Sequence, residues 1–400
     1  MADKSQAPHA GEVRATSLKE LALLFFRLGT TAFGGPAAHI AMMEDEVVRR
    51  RSWLTHQQFL DLLGVTNLIP GPNSTEMAIH IGYQQKGWAG LLVAGNCFIL
   101  PATLLVALLA WAYVRFGTLP EVAGLLYGLK PVVIAVVLQA LWGFALVALK
   151  TRGLIVTGLV AAALNVLGVH ELVVLLGSGC AVPLYRWGIR QRQQLSALSL
   201  TVGATAPIAA FTPVATTVTT SALVPLGLWK LFLFFLKVGS VLFGSGYVLL
   251  AFLRADLVER WRWLTEGQLL DAIAVGQVTP GPVFTTATFI GYLLAGPVGA
   301  VVATVGIFLP AFFFVAISGP LVRRLRHSPM AGAFLDGVNV ASLALMVVVS
   351  WQLGREAVVD FTTAALGIIS LILLIRFRLN SAWLVLGGGL VGLGLSAWVQ

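Results

Sequence analysis

Two proline-glycine-proline breaks, each followed by hydrogen-bond donors, are the segments of this sequence that best fit binding chemistry. Proline lacks a backbone donor and clashes with the preceding turn, while glycine accepts the dihedrals of a bend, so each break interrupts an apolar helical pattern. A helix that restarts after a break presents free N–H groups and the positive end of its dipole to an anion. The residues concerned are Pro70, Gly71, Pro72, Asn73, Ser74 and Thr75 in one half, and Pro280, Gly281, Pro282, Thr285 and Thr286 in the other. Helix capping explains the hydroxyl residues equally well, and a capping donor at such a break is also a site donor.

An internal duplication places the two breaks at equivalent positions. When residue n is paired with residue n + 210 from Arg27 to Pro72, no gap is needed and 16 of the 46 pairs are identical. After the prolines the offset falls to 209, and Gly82/Gly291 and Pro101/Pro310 still match. Matched broken helices in the two halves of a membrane protein are the sequence feature that best marks a transporter's binding site. We therefore predict that the two breaks together form one substrate site.

The composition is that of a protein embedded in a membrane. Hydrophobic residues make up 58% of the chain and charged residues 11%, whereas about 25% of residues are charged in an average soluble domain. Several apolar runs approach the roughly 20 residues that cross a bilayer as a helix. We therefore predict an all-α polytopic membrane protein of two inverted repeats with broken or re-entrant helices and about 9–13 membrane segments.

Loop charges predict how the two repeats are oriented. The chain divides into a polar tail (residues 1–17), a first repeat (18–200), a linking membrane segment (204–226) and a second repeat (228–398). If the broken segments are re-entrant, 17 of the 26 Lys and Arg residues fall on one side, which the positive-inside rule places in the cytoplasm. The linking segment then crosses the membrane and inverts the second repeat. If every half-segment crosses instead, the number of membrane segments rises to about 13.

Two cations occupy equivalent positions inside apolar helices. Arg27 and Lys237 precede the glycine breaks Gly34-Gly35 and Gly244-Ser245. A cation at the centre of a membrane helix costs at least ~2.5–3.5 kcal/mol and by default marks function. Snorkelling of the Arg27 side chain to the interface is the alternative. Because the cation recurs in both repeats, we predict that the two cations and the two glycine breaks belong to the substrate site.

Other ionisable residues near the breaks suggest how transport is coupled. Glu76 follows the first break and could exchange a proton as the site changes access, or simply complement the helix dipole. Lys130 lies in a long apolar helix, aligns with Asn339, and is a second candidate for the anion path and its coupling. Asp61 and Asp271 are equivalent residues that we predict to be structural partners, because an acid repels an oxyanion.

The paired blocks resemble one known family. FRLGTTAFGGP (residues 26–36) and FLKVGSVLFGSG (235–246), with the pattern Leu-Thr-x-x-Gln-x-Leu-Asp before each proline break, are similar to the chromate ion transporter family in its long, two-repeat form. The resemblance covers residues 20–390. It implies a multi-pass protein of a bacterial-type inner membrane that moves chromate, an oxyanion shaped like sulfate, usually outward.

The prediction is therefore an inner-membrane chromate transporter that exports chromate from the cytoplasm by gradient-driven alternating access and confers chromate resistance. A carrier of sulfate or a related oxyanion is the alternative within transport, and a channel-like pore or a non-transporting membrane scaffold is the alternative from another class. No enzyme or nucleotide-binding motif is present, so we predict no catalytic residue, metal or cofactor. The predicted partners are the oxyanion and the lipid bilayer, with protons and a homodimer as further candidates and no nucleic acid.

Overall fold

The computed structural model describes residues 16–33, 35–117, 119–198, 227–243, 248–325, 328–377 and 379–399. Every regular element within these ranges is helical, which confirms the predicted all-α class. The predicted linking segment 204–226, most of the predicted tail, and the predicted site residues Gly34, Gly244 and Ser245 lie outside the described residues.

The described helices fall into two matching series. The first repeat contains α1 (Leu18–Thr31), α2 (Gly35–Glu44), α3 (His56–Thr66), α4 (Asn73–Phe116), α5 (Pro120–Ala148), α6 (Arg152–Val166) and α7 (Glu171–Leu198). The second repeat contains α8 (Leu228–Val241), α9 (Leu249–Leu253), α10 (Glu266–Val278), α11 (Thr286–Leu325), α12 (Pro329–Ala357), α13 (Phe361–Phe377) and α14 (Ser381–Val399). Matching π-helical turns, Asp45–Arg50 and Arg254–Arg260, follow α2 and α9, and a 3-10 turn, Val283–Thr285, precedes α11.

Capping boxes begin the helices that lead to the two proline breaks. Before α3, the Gln58 N–H donates to Thr55 Oγ1 at 3.2 Å and the Thr55 N–H donates to Gln58 Oε1 at 2.9 Å. Thr265 and Gln268 form the same pair of bonds before α10, at 3.1 and 3.0 Å. Each box satisfies N–H groups that the start of a helix leaves without partners. Both repeats therefore start this helix at the same place relative to the break.

The helices that follow the breaks fold back on themselves at equivalent glycines. α4 turns at Gly87 (φ 56°) and α11 turns at Gly296 (φ 62°), a backbone conformation that glycine adopts without steric cost. The two arms of α4 then touch so closely that a side chain on Gly82 would strike the backbone of Gly90, and the equivalent glycines of α11 make the same contact. Each repeat therefore carries a helical hairpin directly after its break.

Helices of each repeat pack against helices of the other repeat across a shared interface. Within each repeat the first helix packs on the hairpin, α1 on α4 and α8 on α11. Between the repeats α4 packs on α11 and α5 on α12, while α6 and α7 pack on α12, and α13 and α14 pack on α5. Each of these contacts has its counterpart in the other repeat, which is the pattern that a pseudo-two-fold axis between repeats produces.

Four described helical stretches are long and apolar enough to cross a bilayer: Asn73–Phe116, Pro120–Ala148, Val283–Ser318 and Pro329–Ala357. Arg152–Val166, Phe361–Phe377 and Ser381–Ser396 are shorter apolar helices. Large apolar side chains on these helices face outward, as Trp142 and Trp351 do with 63% and 72% of their surface exposed. A soluble protein rarely exposes so much contiguous apolar surface, whereas a bilayer covers it.

Candidate functional site

The two proline breaks meet the ends of α8 and α1 through a reciprocal pair of backbone hydrogen bonds. The Gly71 N–H donates to the Leu242 carbonyl at 2.7 Å, and the Gly281 N–H donates to the Ala32 carbonyl at 3.0 Å. Gly71 is equivalent to Gly281 and Ala32 to Leu242, because both pairs differ by 210 residues. Each proline break thus contacts the C-terminal end of the first helix of the other repeat. The two proline breaks and these two helix ends form one junction between the repeats.

Both central glycines are required at this junction. Gly71 has a φ of 141° and Gly281 a φ of 99°, values that residues with a side chain rarely adopt. A Cβ on Gly281 would lie 2.6 Å from the Ala102 Cβ and 3.2 Å from the Gly29 carbonyl oxygen. A Cβ on Gly71 would collide with the carboxyl group of Glu76. Glycine is therefore required at Gly281 by both its backbone angle and the close approach of Ala102, and at Gly71 mainly by its backbone angle, because the Glu76 side chain could move aside.

At the first-repeat break, several buried polar groups have no hydrogen-bond partner among the described residues. The helix leaves the N–H groups of Asn73 and Ser74 without intrahelical acceptors, because they belong to its first turn. Within the described residues, Thr75 Oγ1 and both carboxyl oxygens of Glu76 are buried without a hydrogen-bond partner. The Asn73 amide donates to Asn67 Oδ1 at 2.9 Å. Buried polar groups normally find partners, so this cluster is suited to a polar ligand or exchangeable proton.

The second-repeat break satisfies its own hydroxyl groups. Thr285 Oγ1 donates to the Pro282 carbonyl and Thr286 Oγ1 to the Val283 carbonyl, both at 2.8 Å, and both residues are buried. The Thr285 N–H also donates to the Pro282 carbonyl at 3.0 Å. Both hydroxyls therefore bond back to carbonyls of their own turn and do not accept a capping bond from a free N–H group. Beside this break, Gln277 Nε2 is buried without a partner among the described residues, whereas Thr75 and Glu76 are the unsatisfied residues that directly follow the first break.

Arg27 is paired with an acid on the π-helical turn of its own repeat. Its guanidinium forms an ion pair with Glu46, and Arg50 and Arg51 lie 3.2 and 3.3 Å from the same carboxylate. The Arg27 side chain is 50% exposed and, with these partners, Glu20 and Trp53, lines a cavity of about 410 Å³. The structure thus places Arg27 in a polar vestibule, paired with Glu46.

Lys237 is placed in the same way in the second repeat. Its ammonium group pairs with Asp256, which also pairs with Arg260. An Arg260 nitrogen lies 3.4 Å from His170 Nε2 in the α6–α7 loop, and burial followed by this guanidinium lowers the pKa of His170. Sequence reasoning overlooked the acidic partners Glu46 and Asp256. The sequence did carry a signal for these acids. Glu46 and Asp256 are 210 residues apart, the same offset that separates Arg27 from Lys237.

Lys130 joins a buried network that contains one of the two equivalent aspartates. Lys130 Nζ lies 3.1 Å from Asp271 Oδ1, and the Tyr113 hydroxyl donates to Asp271 Oδ2 at 2.8 Å. Asp271 is therefore bonded to protein groups, in keeping with the prediction that it is a structural partner. Tyr113 had not been predicted, because nothing in its local sequence distinguishes it from an interfacial aromatic residue.

Fold and site together define a class of protein: a multi-pass membrane transporter of two matching repeats, with proline-broken helices that meet the opposite repeat. No cluster of side chains suited to a metal ion occurs among the described residues. The polar groups at the junction are instead hydroxyl, amide, carboxyl and backbone N–H groups.

The chain belongs to the chromate transporter family. The family described as "Chromate transporter" matches it twice, over residues 19–182 and 229–393, so each repeat is one copy of the family unit. This confirms the resemblance found in the paired blocks. The membership also makes the chain a multi-pass protein of a bacterial-type cytoplasmic membrane.

Several relatives are similar over nearly their whole length. The "Chromate transport protein" of Cupriavidus metallidurans is 33% identical over 384 residues, which cover 94% of this chain and 93% of the relative. The "Probable chromate transport protein" of Synechococcus elongatus is 33% identical over 361 residues, covering 90% of each chain. The "Chromate transport protein" of Pseudomonas aeruginosa is 31% identical over 387 residues, covering 94% and 92%. No solved structure matches the chain significantly.

Proposed function

We propose that this chain carries chromate across the cytoplasmic membrane, exports it by gradient-driven alternating access, and thereby confers chromate resistance. The observation that carries the proposal is the reciprocal pair of hydrogen bonds at Gly71 and Gly281, which joins each proline break to the end of the first helix of the other repeat. In transporters of inverted repeats, substrate sites lie where broken helices of the two halves meet. The names of the relatives supply the cargo, chromate.

The chemistry of the first-repeat break suits a tetrahedral dianion. Such an ion needs several donors that converge, and the restarted helix offers the N–H groups of Asn73 and Ser74 with the hydroxyls of Ser74 and Thr75. Hydrogen bonds to an ionised acceptor are shorter and stronger than those between neutral groups. The helix that restarts in the second repeat, α11, begins on the other side of the junction and contributes the positive end of its dipole. The hydroxyls of Thr285 and Thr286 bond within their own turn.

Glu76 gives the site a means of coupling to protons. Its carboxyl group is buried beside the break without a partner among the described residues. A neutral carboxyl group can donate to an anion at this position, whereas an ionised one repels it. Anion and proton occupancy are then linked, whichever way the two ions move.

Arg27 and Lys237 guide the anion toward the junction. Each cation pairs with an acid that arginines also contact. Around Glu46, the partner of Arg27, these further arginines are Arg50 and Arg51. A cleft lined by one sign of charge raises the local concentration of the opposite ion. The two equivalent clusters would serve this purpose on opposite faces of the membrane.

The test is flux of labelled chromate into inverted membrane vesicles that carry the protein, with sulfate as a competitor. The proposal expects uptake that saturates with chromate, collapses when the proton or electrical gradient is dissipated, and resists excess sulfate. Uptake that sulfate abolishes at equal concentration would make the chain a general oxyanion carrier. Flux that does not saturate would indicate a pore, and absence of flux a scaffold.

A further inference from the structure

A buried histidine is bonded to the same carbonyl group as the second proline break. His39 of α2 is 2% exposed, and its Nε2 lies 3.0 Å from the Ala32 carbonyl oxygen. This oxygen also accepts the Gly281 N–H at 3.0 Å. The His39 ring makes an edge contact with Phe98 of α4, with 5.7 Å between the ring centroids. His39 therefore belongs to the junction between the repeats.

The hydrogen bond to Ala32 decides which ring nitrogen of His39 carries the proton. A carbonyl oxygen can only accept, so Nε2 is the N–H nitrogen, and in a neutral ring the other nitrogen is then an acceptor alone. That nitrogen, Nδ1, is buried and has no hydrogen-bond partner among the described residues. Because buried polar atoms normally have partners, Nδ1 is suited to a ligand that brings its own donor.

The second repeat has no such acceptor at the equivalent position. His39 pairs with Leu249 at the offset of 210 residues, and Leu249 is fully buried. The Leu242 carbonyl, which is equivalent to that of Ala32, accepts the Gly71 N–H in the same way. Leucine thus serves the packing of this position in one repeat. Histidine in the other repeat adds a polar atom that packing alone does not require.

The charged groups on the elements around α2 are not bonded to His39. α2 packs on α1, on the π-helical turn that follows it, and on α4. Arg27 of α1 and the arginines of the turn bond Glu46. The buried titratable groups of α4 are Glu76 and His80, and neither is hydrogen-bonded to His39 among the described contacts. A buried ring without an acidic partner favours its neutral form, because burial disfavours an unpaired charge.

Chromate and sulfate differ in how readily they carry a proton. Both are tetrahedral dianions, but chromate takes up a proton near neutral pH, whereas sulfate does so only in strong acid. Hydrogen chromate therefore presents one O–H donor beside its acceptor oxygens, while sulfate presents acceptors alone. A site made only of donors binds either ion. An acceptor placed among the donors pairs with the O–H group and is left unsatisfied by an unprotonated oxygen.

We propose that His39 selects chromate over sulfate, by accepting at Nδ1 the O–H of hydrogen chromate bound at the junction. The inference rests on the transport function proposed above and gives its cargo a physical basis. The N–H and hydroxyl donors of the first-repeat break hold other oxygens of the same ion. Sulfate at this position leaves the buried Nδ1 facing another acceptor. His39 is thus a specificity-determining residue.

Anion binding to the purified protein measures this selection without any need for transport. Calorimetry with chromate and with sulfate, at neutral and at alkaline pH and in buffers of different ionisation enthalpy, gives both the affinity and the number of protons taken up. We expect wild type to bind chromate about tenfold or more tightly than sulfate, since an unsatisfied buried acceptor is costly. In alkaline buffer, chromate should bring about one proton more than sulfate does. This difference isolates His39, because Glu76 titrates with either anion.

Two substitutions remove Nδ1 in different ways. His39→Leu copies the residue of the second repeat, and His39→Phe keeps a ring against Phe98. Each should reduce the preference for chromate over sulfate about tenfold or more and abolish the difference in proton uptake. His80→Gln is the matched control, because His80 is another buried histidine of the first repeat, 3.5 Å from the Ser318 hydroxyl. It should leave the preference for chromate at the wild-type value.

A purely structural role for His39 leads to a different result. Loss of the bond to Ala32 would then weaken both anions equally and leave the preference and the proton difference as in wild type, which refutes the selection. An equal loss of preference in His80→Gln refutes it as well. Should neither variant fold, wild type decides, because equal proton uptake with both anions overturns the proposal. Absence of chromate binding by wild type refutes the proposed cargo, and the inference falls with it. Chromate binding with a preference that ignores His39 refutes the inference alone.

Discussion

Substitution of Gly281 by alanine tests the junction between the repeats most directly. The φ of 99° at Gly281 is strained for a residue with a side chain, at a cost of about 1–3 kcal/mol. The new Cβ would lie 2.6 Å from the Ala102 Cβ, and overpacking of this kind costs about 1–3 kcal/mol. Relief by backbone movement would break the 3.0 Å hydrogen bond to the Ala32 carbonyl, which contributes about 0.5–1.5 kcal/mol.

Together these effects amount to at most about 2.5–7.5 kcal/mol, a large part of the roughly 5–15 kcal/mol that stabilises a typical protein. Gly281→Ala should therefore lower the Tm in detergent markedly and abolish chromate flux. Gly296→Ala is the matched control, because its φ is also positive, at 62°, but an added Cβ meets nothing within 4 Å, so backbone strain of about 1–3 kcal/mol acts alone. Gly143→Ala, in open space within a helix, should be neutral or mildly stabilising. Equal loss of Tm in Gly281→Ala and Gly296→Ala would refute the close approach at the junction.

Three further predictions concern the charges and the topology. Arg27→Ala and Lys237→Ala should each strongly reduce anion flux while the protein still inserts normally into the membrane. Arg27→Lys should reduce flux less, because lysine keeps the charge but lacks the forked donor set of arginine. Wild-type flux in both alanine variants would remove these cations from the anion path. Cysteines beside Arg50 should label from the cytoplasm and cysteines beside Trp261 from outside, and labelling of both from one side would mean that the repeats are parallel. Glu76→Gln should retain anion binding but flatten the dependence of the initial rate on pH in proteoliposomes, because glutamine mimics the neutral acid and cannot titrate; pH profiles parallel to those of the wild type would reduce Glu76 to a helix-terminus residue.

Features that depend only on the chemistry of neighbouring residues could be predicted from the sequence. The proline breaks are one example, since Pro70 and Pro280 remove backbone donors wherever the chain goes, and Gly71 and Gly281 permit the bend. The apolar composition predicted a membrane protein because a bilayer accepts only surfaces of that kind. The duplication needed only a comparison of the chain with itself, and it predicted two matching helical units joined at the breaks.

The partners of the charged residues could not be predicted in the same way. Arg27 and Glu46 are only 19 residues apart, but whether they meet depends on the direction that the chain takes after the glycine break. Tyr113 and Asp271 are 158 residues apart and belong to different repeats, so only the packing of α4 against α10 brings them together. The sequence predicted that Arg27 and Lys237 belong to the substrate site, and the tertiary structure adds the acids that pair with them.

The sequence by itself determined a duplicated, broken-helix membrane protein of the chromate transporter family. Only the tertiary structure showed that its two equivalent halves are not in equivalent surroundings. Thr75 and Glu76 are unsatisfied where the Thr285 and Thr286 hydroxyls donate to carbonyls of their own turn, and Leu60 is exposed where Leu270 is buried. The physical reason is that identical motifs carry identical local propensities, whereas burial and pairing depend on what the rest of the fold places beside each copy.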